Sequence, residues 1–78
     1  MNKVTSTIEL DCSGLKCPMP IIKAKKVLDS MKSGEVLKLI ATDPGSINDT
    51  NAWSRRTGNK ILEQSHINDI FIFYISKK

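Results

Sequence analysis

Two rhythms of apolar and polar positions run along the chain, one of period two and one close to 3.6. Val4 to Leu10, with Val4, Thr5 and Thr7 favouring extended backbone and Ile8-Glu9-Leu10 alternating, predicts a first strand with one polar face. Asp11 to Lys16, centred on Gly14, is expected to be a loop. Ile21, Ala24, Leu28 and Met31 then fall at i, i+3, i+7 and i+10, a single stripe that predicts a helix from near Pro18 to about Lys32. Proline suits a first helical turn, where its missing N–H has no intrahelical acceptor, and Ser33-Gly34 ends the helix.

Glu35 to Thr42, with Val36, Leu37, Leu39 and Ile40, predicts a second strand with apolar residues on both faces. Asp43-Pro44-Gly45 reads as a turn, and Ser46-Ile47-Asn48-Asp49 resembles a capping box opening a short helix. That helix holds Ile47 and Trp53, carries Arg55 and Arg56 in its last turn, and closes at Gly58. Lys60 to about Ser65 is a third strand, Asn68-Asp69 a turn, and Ile70 to Ile75 a fourth strand.

The order is β-α-β-α-β-β, an α/β (α+β) domain of two layers. Right-handed crossovers place both helices on one face if the first three strands progress in one direction. The fourth strand is apolar at every position, as a central strand is, whereas the first and third are more polar and suit edges. A short hairpin inserts the fourth strand between the second and third, which predicts the order 1-2-4-3 with the fourth antiparallel. Strand 4 sets Ile70, Ile72 and Tyr74 against Phe71, Phe73 and Ile75, so an apolar set faces outward whichever way it turns. That open face is expected to be a docking surface for a second copy, forming a homodimer, or for a partner, unless long Lys and Glu side chains cover it.

Seventy-eight residues make one domain, residues 1–78. With 40% apolar and 26% charged residues, the composition is that of neither a disordered nor a membrane-spanning chain. The longest apolar run, Ile70 to Ile75, falls far short of the roughly 20 residues of a spanning helix. Met1-Asn2-Lys3 leads into Val4-Thr5-Ser6-Thr7, which is no signal sequence, so the expected compartment is the cytoplasm. A net charge of +4 favours acidic partners only modestly.

Two cysteines are too few for a disulfide framework or a four-cysteine zinc site and are expected to be free thiols. Cys17 precedes Pro18 at the start of the first helix. Unpaired N–H groups and the helix dipole favour an anion there, Lys16 adds positive charge, and the thiol is expected to be a thiolate nucleophile. Pro18 and Pro20 remove two donors but stiffen the presentation of sulfur, a role that predicts an intact fold when both are replaced by Ala. The competing reading makes Cys17 a small buried hydrophobe.

Asp11-Cys12-Ser13-Gly14-Leu15-Lys16-Cys17-Pro18-Met19-Pro20 resembles the signature of the TusA/SirA-like sulfur-carrier family: an acid, then glycine, then Cys-Pro-x-Pro at the start of the first helix. Asp43-Pro44, Asp49, Trp53 and Gly58 extend the resemblance over about residues 7 to 76. It implies the fold of the C-terminal domain of a bacterial translation initiation factor. It also implies that Cys17 carries sulfur as a persulfide, with Lys16, Pro18, Met19, Pro20, Asp11, Gly14 and Asp43 around it for substrate and partner contact. The implied partners are a sulfur donor, either a cysteine desulfurase or a rhodanese-type protein, and a sulfur-acceptor protein. Destinations in the family include tRNA thiolation, molybdenum-cofactor assembly and sulfur oxidation. No metal or organic cofactor is implied, and neither a membrane nor a stable nucleic-acid complex is expected.

Cys12 is an extra thiol relative to the family pattern, and Met19 stands where some members carry an acid. Cys12 either packs or resolves an oxidised Cys17. Asp11 suits an Asx-type turn, and Asp43 is expected on the sheet edge that carries Cys17. His66 near the hairpin is expected at the other end of the sheet, too far for a Cys–His pair. Lys23, Lys25 and Lys26 form a solvated helix face. Two alternatives stand beside the sulfur carrier. One is a small basic RNA- or protein-binding module, weakened by only four aromatic residues; the other is a redox protein using Cys12 and Cys17, whose spacing is not C-x-x-C.

Overall fold

The computed structural model describes residues 6–16 and 18–78. Val4 and Thr5 of the expected first strand, and Cys17, lie outside the described residues. The elements are β1 (Ile8–Cys12), α1 (Met19–Asp29), β2 (Val36–Ala41), α2 (Ser46–Thr57), β3 (Lys60–Ile67) and β4 (Ile70–Ser76). The sheet order is β1-β2-β4-β3, with β1 and β2 parallel and β4 antiparallel to both of its neighbours. The order deduced from the polarity of the strands is the observed one.

Three boundaries differ from expectation. β1 runs through Asp11 and Cys12, because both pair with β2, opposite Ile40 and Ala41. α1 stops at Asp29: the Ser30 and Met31 amides turn back to the carbonyls of Val27 and Leu28, although Met31 still buries its side chain. β3 continues to Ile67, which pairs with Ile70 across a turn where Asn68 takes a positive φ of 55°. Asparagine tolerates that left-handed conformation better than most residues.

Alternation along the strands divides the sheet. Leu37 and Leu39 of β2 and Phe71, Phe73 and Ile75 of β4 are buried in one core with Ala24 and Leu28 of α1 and Trp53 of α2, and Ala41 is buried as well. The opposite face carries Glu9, Lys38, Tyr74 and Glu63 in one register row. Lys38 Nζ lies 3.7 Å from Glu9 Oε1 and 5.9 Å from the centre of the Tyr74 ring. These side chains share that face with Ile40 and Ile72, so charge divides the open face.

α2 differs from its sequence pattern in two ways. Its N-cap is Gly45, with no side-chain cap, so Ser46 to Asp49 do not form a capping box. Ser46 is instead buried, and with Thr50 and Trp53 it makes the inward stripe, leaving Ile47 exposed. Ser46 Oγ and Thr50 Oγ1 are buried without a hydrogen-bond partner among the described residues. At the other end Gly58 adopts φ 83°, the left-handed conformation that terminates the helix, and its amide donates to the Ser54 carbonyl at 2.9 Å. A Cβ at Gly58 would stand 2.8 Å from the Lys78 side chain, so the closing position of the helix is also a close approach.

A buried hydroxyl without a partner loses its hydration and gains nothing in return. Thr50→Val, which keeps the shape and removes the hydroxyl, is therefore expected to raise the unfolding free energy by about 1 kcal/mol. Phe73→Ala, which empties the centre of the core, is expected to lower it by about 3–5 kcal/mol. Urea titrations of the two variants against the parent chain check both signs.

Candidate functional site

The candidate site is built from the two loops that leave the parallel strands. β1 and β2 end side by side at Cys12 and Ala41, so the loops leading to α1 and α2 emerge at one sheet edge. A hydrogen bond joins them: the Gly14 amide donates to Thr42 Oγ1 at 2.8 Å. Gly14 has φ 82°, a conformation costly for any side-chain-bearing residue, which accounts for glycine at this point of the motif. Asp11 Oδ1 accepts from the Ser13 amide at 2.9 Å and from Ser13 Oγ at 2.6 Å, the expected Asx-type turn. These two bonds hold the exposed Asp11 carboxyl below its ordinary pKa. The turn is therefore strongest above the usual Asp range and weakens as pH falls through the lowered value.

The start of α1 departs from the simplest picture of an anion site. Pro18 is the N-cap and Pro20 has no N–H to give. The Met19 amide donates to the Lys16 carbonyl at 2.8 Å, and the Ile21 and Ile22 amides both donate to the Pro18 carbonyl at 3.1 Å. The expectation of unpaired donors at this helix start is thus corrected, because the loop's own carbonyls take them. What remains to favour an anion is the helix dipole and the charge of Lys16.

Lys16, Pro18 and Met19 are exposed, with Met19 42% accessible, whereas Pro20 is fully buried. Pro20 therefore packs as well as stiffens, and its burial argues against the expectation that both prolines are dispensable to the fold. Asp43 is half-buried, and its carbonyl accepts from the Ser46 amide at 2.9 Å, where it helps start α2. Cys12 is wholly buried, and burial raises its thiol pKa, with Asp11 adding to the rise and Lys23 opposing it. It is a protonated, packed thiol, which favours the packing reading over a resolving role.

His66 is a second correction. The register runs Cys12–Ala41–Phe71–His66 across all four strands, so His66 lies at the motif end of the sheet. Because β4 is antiparallel, the β3–β4 turn comes back to the edge where β1 and β2 end. His66 is nonetheless three strand spacings from Cys12, about 14 Å, and its ring stacks on Phe71 with centroids 4.4 Å apart. Among the described residues no group of three His, Cys, Asp or Glu could hold a metal ion, and no helix is long and apolar enough to cross a membrane.

The sequence profile of the family described as sulfurtransferase TusA matches residues 8–77. The chain belongs to the TusA family. Relatives in that family include the sulfur carrier protein TusA of Allochromatium vinosum, 52% identical over 88% of this chain and 91% of the relative. The putative sulfur carrier protein YrkI of Bacillus subtilis is 47% identical over 87% of this chain and 91% of the relative. The crystal structure of a SirA-like protein from Desulfitobacterium hafniense superposes with a TM-score of 0.77 at 25% identity, covering 90% of this chain and 96% of that one. The two-layer β-α-β-α-β-β fold deduced from the strand pattern is thus the fold of a solved neighbour.

The buried and exposed prolines separate packing from presentation. Pro18→Ala is expected to shift unfolding by less than about 0.5 kcal/mol, as an exposed substitution does. Pro20→Ala removes two buried methylene groups and is expected to cost about 1.5 kcal/mol. Equal and small costs in chemical denaturation would show that Pro20 does not pack as described.

Proposed function

We propose that the chain is a sulfur carrier that accepts sulfane sulfur on Cys17 as a persulfide and hands it to an acceptor protein. The observation that carries this reading is the TusA-family match over residues 8–77, which contains Cys17 within Cys-Pro-Met-Pro. In the loading step the Cys17 thiolate attacks the outer sulfur of a donor persulfide. A bond forms between that sulfur and Cys17 Sγ, the donor's S–S bond breaks, and the donor leaves as a thiolate. In the unloading step an acceptor thiolate attacks the outer sulfur of Cys17–S–SH, and Cys17 returns as a thiolate. Sulfur changes carriers with no net oxidation, so the exchange consumes no external oxidant or reductant.

The surroundings of the motif support this role. Exposed Lys16 and the α1 dipole favour the thiolate both as nucleophile and as leaving group. The Gly14–Thr42 bond and the Asp11 turn restrain the loop without occupying its outer surface. Cys12, buried and protonated, does not compete for sulfur. The donor is a cysteine desulfurase or a rhodanese-type protein, and the setting is cytoplasmic.

Intact-mass spectrometry after incubation with a cysteine desulfurase and cysteine tests the proposal. The parent chain is expected to gain one sulfur atom, Cys17→Ser none, and Cys12→Ala one sulfur as the parent does. Loading of Cys17→Ser would overturn the assignment. Loss of two hydrogens on mild oxidation, without sulfur uptake, would favour a dithiol protein instead.

A further inference from the structure

Charge is separated along the strand direction, and the end of the domain away from the motif is basic. β2 and β3 begin there, β4 and both helices end there, and the row Val36–Ser76–Lys60 marks its edge. Lys32 precedes β2, Arg55 and Arg56 lie in the last turn of α2, Lys60 opens β3, and Lys77 and Lys78 follow β4. Hydrogen bonds hold these segments together. The Lys77 amide donates to the Glu35 carbonyl at 2.8 Å, its carbonyl accepts from the Gly34 amide at 2.9 Å, and the Lys78 amide donates to Asn59 Oδ1 at 2.9 Å. The Lys78 side chain lies against Gly58 at the end of α2.

All of these cations but the half-buried Lys77 are exposed, and among the described residues none of them takes part in a salt bridge. The carboxylates of this end are engaged: Asp29 Oδ2 pairs with Lys25 Nζ at 3.0 Å, and Glu35 Oε1 accepts from the Lys32 amide at 2.8 Å. A helix dipole favours cations beside its last turn, which accounts for Arg55, Arg56 and Lys78 but not for Lys32, Lys60 or Lys77. The motif end has the reverse balance, with Asp11, Asp43, Asp49 and Asp69 in or beside its loops against Lys16 and Lys23. A polyanion is therefore drawn to one end and repelled by the other.

The make-up of the patch selects among polyanions. None of the exposed large hydrophobic residues described belongs to the segments that carry the cations, so the patch lacks the apolar centre of a protein–protein contact. It also lacks an aromatic platform for unpaired bases. Trp53, Phe71 and Phe73 are buried, and Tyr74 lies in the row of Glu9, Lys38 and Glu63, two residues farther along the strands. Helical nucleic acid needs neither, since it presents about one phosphate charge per 1.7 Å of axis. From Lys60 to the start of β2 the patch crosses two strand spacings, about 10 Å, with the end of α2 on the layer above. That width meets several phosphates.

We propose that this basic end holds the phosphate backbone of a nucleic-acid helix, with the Cys-Pro-Met-Pro edge facing away from it. β2, six residues long, separates the two ends by about 17 Å, so the motif stays open to a protein partner while the domain is held. The contact reads no sequence and weakens steeply with salt, so it is transient rather than a stable complex. It goes beyond the carrier reading and does not depend on it.

Fluorescence anisotropy of labelled RNA and DNA duplexes with the full chain, over a series of salt concentrations, tests this. The parent is expected to bind both, with log K falling about 3 to 4 units per decade of salt, as for roughly four phosphate contacts. Arg55→Gln/Arg56→Gln and Lys32→Gln/Lys60→Gln should each weaken binding about tenfold or more at about 50 mM salt and lower that slope by about two. The two pairs sit on different elements, so loss of fold in one leaves the other as the test. Lys16→Gln/Lys23→Gln removes the same charge from the motif end and should bind within about twofold of the parent. In NMR spectra the duplex should move the amide signals of Lys32, Lys60 and Lys77 and leave those of Gly14 and Met19 in place. Tighter binding of one duplex names the source of the phosphates and supports the proposal. No binding by the parent at low salt overturns it, as does equal weakening by Lys16→Gln/Lys23→Gln or movement of the Gly14 and Met19 signals. A polyglutamate peptide that displaces the duplex at a lower concentration of charge makes the partner an acidic polypeptide and also overturns it.

Discussion

β4 lies between β2 and β3 only because both of its faces tolerate burial, and most of the molecule's functional geometry follows from that placement. Phe71, Phe73 and Ile75 supply the centre of the core, while Ile70, Ile72 and Tyr74 occupy the other side without a run of charges. A strand with one strongly polar face would be driven to an edge, and the hairpin would then pair differently. With β4 central and antiparallel, the β3–β4 turn returns to the edge where the parallel strands β1 and β2 end. The starts of both helices and the hairpin turn therefore share one side of the fold.

That convergence makes a short motif into a site. The loop after β1 is fixed from below by the Asp11 turn and from the side by Thr42 of the neighbouring loop. Its carbonyls satisfy the first amides of α1, so the helix end is closed by its own chain rather than held open for a ligand. An anion beside it is favoured by field rather than by direct donors, an arrangement suited to a sulfur that must be released as readily as it is taken up. Cys12, within the same few residues, is buried, which raises its pKa and keeps the thiol protonated.

Much of this was legible in the residues. The period-two and period-3.6 patterns placed every element, and the doubly apolar Ile70–Ile75 run located the central strand. The motif loop and the Asp11 turn could also be read directly. What escaped the pattern depended on the third dimension. Ser46 and Thr50 look polar and proved buried, because α2 turns its small residues inward and leaves Ile47 outside. His66 was assigned to the wrong end because sequence position near a hairpin says nothing of where the hairpin points until the strand directions are followed through. The helix-start amides were expected to be open because proline content counts missing donors but does not reveal which carbonyls take the rest.

The central proposal is that Cys17 of the motif is the reactive thiolate while burial in the same domain silences Cys12. The pH dependence of the alkylation rate of each thiol, resolved by peptide mass spectrometry on the native chain, tests it most directly. Cys17 is expected to label faster than Cys12 near neutral pH, with Cys12 slower at every pH at which the fold persists. Equal rates, or earlier labelling of Cys12, would contradict the account.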